Sequence, residues 1–244
     1  MTKVLLPLAM TSSGLAVLGP VLAQVGLPPP LALNLFLVGA GLGGVVLARG
    51  LIRVTRTPED ASKTRLGWAV VGLGAIPVLL VAQALVRGIG APAINDVTTD
   101  VSRPPEFEQA TAPPGTAQRD LRYPEAFRAA MRSGYPKLHS LHLNLPPEQA
   151  FPRVLAAAQA MSHWEVTTVD TERGRLQATA RTRAFRFVDD VVIRLEPEGH
   201  GSRLDMRSRS RFGKGDLGAN ARRIESFFRS VQRTSALADR EGLG

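Results

Sequence analysis

The sequence LGWAVVGLGAIPVLLVAQALV, from Leu66 to Val86, separates the chain into two unlike halves. At about 1.5 Å per helical residue, this run is long enough to cross the hydrocarbon core of a bilayer. Residues 1–87 contain nine charged side chains, whereas residues 88–244 contain 42. A soluble domain with one core does not segregate charge in this way. The pattern predicts a membrane-embedded front half and a soluble back half.

Two further apolar runs precede this one, from Val4 to Val25 and from Leu31 to Ala48, and neither contains an ionisable residue. Buried helices of a soluble bundle rarely stay free of charge over three whole spans. We therefore expect three transmembrane helices within residues 1–87. Gly39 and Gly43 form a small-xxx-small spacing, a candidate helix-packing face that would let another helix approach closely. The alternative is that glycine is simply common in membrane helices.

The basic residues of the connections predict the orientation. The second connection has five basic and two acidic residues, whereas the first, 26–30, has no charge. An excess of Lys and Arg marks the cytoplasmic side. We expect a bacterial inner (cytoplasmic) membrane protein with a cytoplasmic N-terminus and a periplasmic or extracytoplasmic C-terminal domain. Cleavage of the first span as a signal peptide after Val21-Leu22-Ala23 is an alternative that leaves this domain on the same side.

The remaining sequence predicts an extended linker over residues 88–117 and an α+β domain over residues 118–244. A short helix is expected around 123–133, and a one-face apolar spacing predicts a helix from about Ala150 to Met161. Four strand-like runs follow, at 164–169, 176–185, 190–196 and 202–212, and a final helix covers about 218–237. The fold class is therefore a helix, a four-stranded antiparallel sheet and a helix after three membrane spans. We expect the helices to cover one side of the sheet and leave the other bare.

The last strand carries the clearest charge pattern. A candidate anion or partner face consists of the basic residues of this strand and of the segment after it: Arg203, Arg207, Arg209, Arg211, Lys214, Arg222 and Arg223. Such a face could bind lipid head groups, envelope glycans or an acidic protein. The alternative is a solvated face that Asp190, Glu196 and Asp205 neutralise. Nucleic acid is not expected, because the domain is predicted to lie outside the cytoplasm and few aromatic residues are available to stack on bases.

The segment from Gly213 to Gly218 matches Gly-x-Gly-x-x-Gly between a strand and a helix. A dinucleotide site is not expected, because no parallel strand can follow the last helix. Asp216 is expected to cap that helix. A small anion held at the helix N-terminus beside Lys214, Arg222 and Arg223 is the other interpretation.

The sequence indicates no catalytic, metal or cofactor residues. The chain has no Cys, which excludes disulfides, thiolate metal sites and Cys nucleophiles. Asp189 and Asp190 are adjacent on a strand, so their side chains point to opposite faces. His139 and His142 flank Ser140 without a nucleophile elbow or a third metal ligand.

Several motifs of the soluble half resemble those of a bacterial family. They are Ile94 to Asp100, Pro104-Pro105-Glu106-Phe107, Gly134-Tyr135-Pro136, Asp189 to Arg194, and the run from Gly201 through Arg211 to Ile224. The sequence from about Ile94 to Val231 resembles the "domain of unknown function 1499" family, whose members often carry a membrane-anchoring front end. The resemblance implies no reaction.

These patterns favour a non-enzymatic, membrane-anchored binding or scaffolding protein, an accessory subunit that packs against a larger membrane complex. Its partners would be membrane lipids and a protein, with no cofactor. The second hypothesis is an envelope hydrolase acting on lipid or glycan through His139, His142 or Asp190. The third is an anionic-lipid-binding module that uses Arg207, Arg209 and Arg211.

Overall fold

A computed structural model describes residues 2–56, 61–108 and 120–241 of the chain. By their internal contacts the residues divide into two compact units, 1–87 with 183–186, and 88–182 with 187–244. The predicted linker residues from 109 to 117 lie outside the described residues.

The first unit contains the helices α1 (Thr2–Gln24), α2 (Pro29–Arg56) and α3 (Ala61–Arg87). Segments of these helices, Val4–Gln24, Pro29–Arg56 and Thr64–Arg87, are long and apolar enough to cross a membrane. This agrees with the three predicted spans. The exposed large apolar side chains of the unit are mostly aliphatic and occur on all three helices, as expected for helices in contact with lipid or with other apolar helices.

Small residues allow these helices to approach closely. A Cβ atom added at Gly39 would lie 2.7 Å from the backbone nitrogen of Ala16 in α1. A Cβ at Gly43 would lie 2.8 Å from the carbonyl oxygen of Gly74 in α3. The Ser12 hydroxyl also donates to the Gly39 carbonyl at 2.9 Å, so a polar group far from water has a partner. The predicted helix-packing face therefore packs against α1 and α3 of the same chain.

The second unit is built on one antiparallel sheet. Its elements are β1 (Asp96–Thr98), α4 (Phe127–Gly134), β2 (Leu141–Leu143), α5 (Pro147–Gln159), β3 (Trp164–Asp170), β4 (Arg175–Arg181), β5 (Val188–Glu198), β6 (Gly201–Ser210) and α6 (Ala219–Glu241). The strand order is β1-β6-β5-β4-β3, and β2 pairs with β6 beside β1. The four predicted strands are β3 to β6, and α5 and α6 are the predicted long helices.

The prediction of four strands was wrong, because the described residues form a sheet of six. The two additional strands, β1 and β2, are three residues long, too short for an alternating pattern to reveal them. They pair with different parts of β6, Thr98 opposite Arg207 and Leu143 opposite Ser202. Strand β4 also ends earlier than predicted, because Thr182 donates its backbone N–H to the Phe187 carbonyl and closes a turn.

One side of the sheet packs against the helices. Its inward side chains include Leu176, Ile193, Leu204 and Met206, all fully buried, and they meet Phe227 of α6. The other side carries most of the charged residues of β5 and β6, whereas Asp189 lies on the helix side. The sequence predicted that the charged side would be bare, and that prediction was wrong. The backbone of residues 100–108 and 120–121 crosses it.

Candidate functional site

The charged side of the sheet is organised by the pairing of β5 with β6. Arg194 lies opposite Asp205, Glu196 opposite Arg203, and Asp190 opposite Arg209. Directly opposed residues of an antiparallel pair bring their side chains together, and unlike charges there stabilise the sheet. The alternation expected for β6 is confirmed, since its arginines share one face and Leu204, Met206 and Ser208 share the other.

Arg207 and Asp96 form a fully buried ion pair at the centre of this face. Arg207 Nε donates to Asp96 Oδ1 at 2.8 Å, and Nη2 donates to Oδ2 at 2.7 Å. Both side chains are 0% exposed. Nη1 also donates to the Pro105 carbonyl at 3.2 Å, and Nη2 to the Leu121 carbonyl at 3.0 Å. Burial raises the pKa of Asp96, and the hydrogen bonds and charge of Arg207 oppose that rise.

Aromatic rings complete the enclosure of Arg207. Its guanidinium carbon lies 4.8 Å from the centroid of Phe107 and 5.2 Å from that of Tyr123, distances typical of cation–π contacts. A cavity of about 480 Å³ opens beside these groups. The buried hydroxyl of Tyr123, which is also on the cavity wall, has no hydrogen-bond partner among the described residues. Burial raises the pKa of this phenol. The other polar side chains on the described part of this wall are Glu106, Asp120, Arg122 and Arg128, so the cavity is lined by both acidic and basic groups.

A second centre surrounds the buried carboxylate of Asp205. The carboxylate accepts hydrogen bonds from Arg194 Nη2 at 2.9 Å and from Arg203 Nε at 3.0 Å. It also accepts from Thr99 Oγ1 at 3.2 Å and from the Ser140 hydroxyl. Asp205 is 0% exposed. A buried carboxylate is stable only when its lone pairs are satisfied in this way.

Asp100 connects this centre to the segment that crosses it. Its Oδ2 accepts from Arg194 at 3.0 Å and from Arg203 at 3.3 Å. Its Oδ1 accepts from the backbone of Ser102 and Arg103. Burial alone would raise the pKa of Asp100. The hydrogen bonds from the Ser102 hydroxyl and the Arg103 backbone, together with the charges of Arg194 and Arg203, hold the pKa below its usual range. Arg103 also pairs with Glu196 at the edge of the centre, so basic and acidic groups balance there.

The other predicted basic residues are engaged within the fold or lie beside it. Arg211 makes a two-pronged pair with Asp190, its Nη2 2.6 Å from Oδ1. Arg209 donates to the Asp120 carbonyl at 2.6 Å. Arg223 lies on the opposite side of the sheet, where it contacts Asp189, Ser208 and Asn220. Lys214 and Arg222 are exposed. The structure thus does not gather the seven residues on one open surface, and their pairing favours the neutralising interpretation.

Asp216 occupies the N-terminus of α6. Its Oδ1 accepts from the Gly218 backbone at 2.8 Å and its Oδ2 from the Asn220 backbone at 2.8 Å. The expected cap is confirmed. Because this carboxylate already accepts from two N–H groups at the helix N-terminus, it takes the place that an external anion would have to fill.

The residues considered for catalysis are not brought together. Asp189 faces Arg223 and Asp190 faces Arg211, as strand alternation requires. His142 pairs with Glu198, whereas His139 contacts the Ser140 carbonyl at 3.1 Å. Among the described residues, no group of three or more His or acidic side chains could hold a metal ion.

Residues 96–231 match the family model described as "Protein of unknown function (DUF1499)". The chain belongs to the DUF1499 family. The resemblance drawn from the sequence motifs is thereby confirmed. The match begins at Asp96, the buried partner of Arg207, and extends into α6. Both charged centres therefore belong to the DUF1499 region, with the crossing segment that neutralises them.

Comparison with solved structures found a likeness to a crystal structure of the protein TTHA0849 from Thermus thermophilus. The two chains are 13% identical, the match covers 41% of this chain and 95% of the other, and the TM-score is 0.26. At that score the likeness carries no argument about this DUF1499 protein. Comparison with curated proteins found no match.

Sequence reasoning missed the acidic partners from the linker of the DUF1499 region, Asp96 and Asp100, and the aromatic cover from Phe107 and Tyr123. One signal was available. The charged face of the last strand has four arginines and one aspartate, so a buried arrangement needed acids from elsewhere. Nothing in the local pattern indicated that the linker would supply them.

Proposed function

We propose that this protein is a non-enzymatic, membrane-anchored binding or scaffolding protein, an accessory subunit that packs beside a larger membrane complex. The observation that carries the proposal is the internal pairing of the buried charges at the centre of the soluble unit's sheet. At the centre of its sheet Asp96 is paired with Arg207, which also donates to the crossing backbone. Asp205 is paired separately with Arg194 and Arg203. Buried groups with such partners stabilise a surface, and they are not free to transfer protons to a substrate.

The membrane unit supports the same proposal. An ion or proton path through a membrane usually requires ionisable residues inside the spans. The three spans of this unit have none at their centres. The inward small residues are already used within the chain. Gly41 and Gly44 of α2 face outward, and a Cβ at either position would meet no atom within 4 Å. Such positions permit a helix of another protein to approach without a change in the three-helix packing.

The experiment is extraction of the untagged protein from its native membrane in mild detergent. We expect it to migrate with one large complex in a fixed ratio, and migration as a stable monomer would contradict the proposal. The variant Gly41→Leu/Gly44→Leu tests the outer face of α2, since its side chains point into open space. Loss of co-migration with an unchanged unfolding curve would locate the interface there. The matched control is Gly72→Leu on α3, where an added Cβ also meets no atom within 4 Å.

We also propose that the soluble unit lies outside the cytoplasm of a bacterial inner membrane. The support is the excess of basic residues around the connection between α2 and α3. The chain has no Cys, so single cysteines can report each side. In intact spheroplasts, a membrane-impermeant maleimide should label Val169→Cys and leave Thr55→Cys unlabelled until the cells are lysed. The reverse pattern would overturn the orientation.

The hydrolase hypothesis has less support. It needed His139, His142 or Asp190 as reactive groups, and Asp190 is held by Arg211. Replacement of either histidine by Ala should leave the phenotype of a complemented deletion strain unchanged. A loss of complementation by a variant that still reaches the membrane in normal amounts would restore the enzymatic interpretation.

A further inference from the structure

Large apolar side chains are rarely exposed in the described part of the second unit. The exposed ones are Ile89 at 78%, Phe212 at 55%, Leu217 at 47% and Val169 at 45%. Three of these four lie on the segments where the unit begins and where β6 leads into α6. The 212–217 loop runs beside the first residues of the unit, because Asp216 N–H donates to the Ile94 carbonyl at 3.2 Å.

Leu217 is held outward in an unfavourable conformation. Its φ is +51°, in the left-handed region that favours glycine or asparagine. A leucine there is not explained by packing in the core, since nearly half of its surface is exposed. Phe212 is also fixed, because its ring stacks on Phe187 with centroids 5.4 Å apart. The loop therefore presents two ordered apolar side chains.

The contact between Leu217 and Gly88 indicates which surface the exposed side of Leu217 faces. A Cβ at Gly88 would lie 2.7 Å from Leu217 Cδ2, so the two residues are in direct contact. Gly88 follows Arg87, the last residue of the third candidate membrane span. Leu217 therefore contacts the first residue after the point where the chain would leave the bilayer. Exposed Phe and Leu with a neighbouring lysine are typical of segments that lie in a membrane interface.

We propose that the 212–217 loop and Ile89 bind the lipid bilayer, with Phe212 and Leu217 among the upper acyl carbons and Lys214 beside the lipid phosphates. This surface is distinct from the arginine face, whose charges are paired within the fold. The proposal rests on α3 crossing the membrane and does not depend on any protein partner.

The test uses the full chain, purified and reconstituted into vesicles of phosphatidylcholine and phosphatidylglycerol that contain brominated lipids. Phe212→Cys and Leu217→Cys each carry one bimane label, and Val169→Cys on the edge strand β3 is the matched control. We expect bromolipid quenching at positions 212 and 217 to exceed that at 169 by several-fold. Equal quenching at the three positions would overturn the proposal.

A second measurement avoids the label. Phe212→Trp, in a chain whose Trp68 and Trp164 are replaced by Phe, keeps an aromatic ring against Phe187. Its emission should shift to shorter wavelength in vesicles and be quenched by bromolipid, and emission typical of water would contradict the proposal. Lys214→Gln should lower the quenching in vesicles with phosphatidylglycerol. An unchanged value there would overturn the assignment of Lys214 to the phosphates.

Discussion

The two units of this protein differ in the contacts that hold their parts together, since the second unit adds buried ion pairs to its apolar core. In the first unit the helices meet at Gly39, Gly43 and Gly74, where the absence of a side chain lets backbones touch. In the second unit the sheet is crossed by a segment held by Arg207, Arg194 and their carboxylates. Lipid chains are as apolar as leucine, so close packing decides association in a membrane. In water a polar segment can be fixed over a sheet by satisfied charges. The difference teaches that close backbone packing holds the membrane helices together, whereas buried charge pairs fix the crossing segment over the sheet.

The largest expected effect comes from removing one member of the central ion pair. Arg207→Met leaves the Asp96 carboxylate buried without its partner, which should lower the free energy of unfolding of the second unit by about 3–5 kcal/mol. Urea unfolding followed by Trp164 fluorescence in a Trp68→Phe background measures this unit alone, because Trp164 packs on Phe227 of its core.

Two further variants sharpen this result. Asp96→Leu with Arg207→Met removes both charges and should recover most of the lost stability, because an apolar pair of similar size replaces a buried ion pair without an orphaned charge. Arg211→Met is the control at a partly exposed pair and should lower stability less. An Arg207→Met protein as stable as the parent would break the comparison, since charge would then not hold the second unit together.

The corresponding change in the membrane unit is steric. Gly43→Leu should separate α2 from α3, because even a Cβ would lie 2.8 Å from both the Gly74 carbonyl oxygen and Pro77 Cγ. We expect a loss of about 1–3 kcal/mol. Trp68 fluorescence during SDS titration in a Trp164→Phe background reports this unit. Gly41→Leu, two residues away in open space, is the matched control, and equal losses in both variants would contradict close packing as the cause.

A smaller effect is expected at the α6 cap. Asp216→Ala leaves the Gly218 and Asn220 N–H groups without their acceptor and should lower the stability of the second unit by about 1 kcal/mol. Asp216→Asn should retain most of it, since Asn is also a good cap. If added phosphate left the parent unchanged but stabilised Asp216→Ala, the helix N-terminus would bind anions only when its own carboxylate is absent. Stabilisation of the parent as well would restore the anion-site interpretation.

The smallest effect is on pH dependence. The pKa of Asp100 is lowered in the folded state, so its contribution to stability is fully present above the pKa of the unfolded chain, about 3.9, and is lost as the pH falls through the folded value. Asp100→Asn should therefore make the stability of the second unit fall less steeply below about pH 4. If stability fell equally steeply in acid for the parent and the variant, the pKa of Asp100 would not be lowered in the folded state.

The sequence predicted the helices and strands that have a periodic local pattern. It missed the contacts between residues that are far apart in the sequence. Three apolar runs, the alternation of β6 and the helical spacing of α6 are local patterns, and the corresponding elements are present. The cap at Asp216 was also readable, because a cap needs only its own helix. The covering of the charged face was not, because it depends on Asp96 and Asp100, which look like linker residues until the sheet brings them to Arg207 and Arg194.

The same distinction applies to the candidate site. The basic residues of β6 were identified, but their role depends on partners that lie far away in the sequence. Gly39 and Gly43 were identified as a packing face, but a spacing of small residues does not say whether the approaching helix belongs to the same chain. Here it does.

The pairing of β1 with β6 has a consequence for biosynthesis. Asp96 and Arg207 are 111 residues apart in the sequence, so neither can be neutralised until almost the whole domain has been synthesised. Contacts of such separation slow folding, because a long loop must close before the contact forms. Strand β1, which follows the third span, has no partner strand until β6 is made, whereas β3, β4 and β5 can pair with one another earlier. If translation stops before β6, the acidic residues that pair with β6 have no partners and the sheet keeps an open strand edge. The fold can therefore close only after β6 has been synthesised.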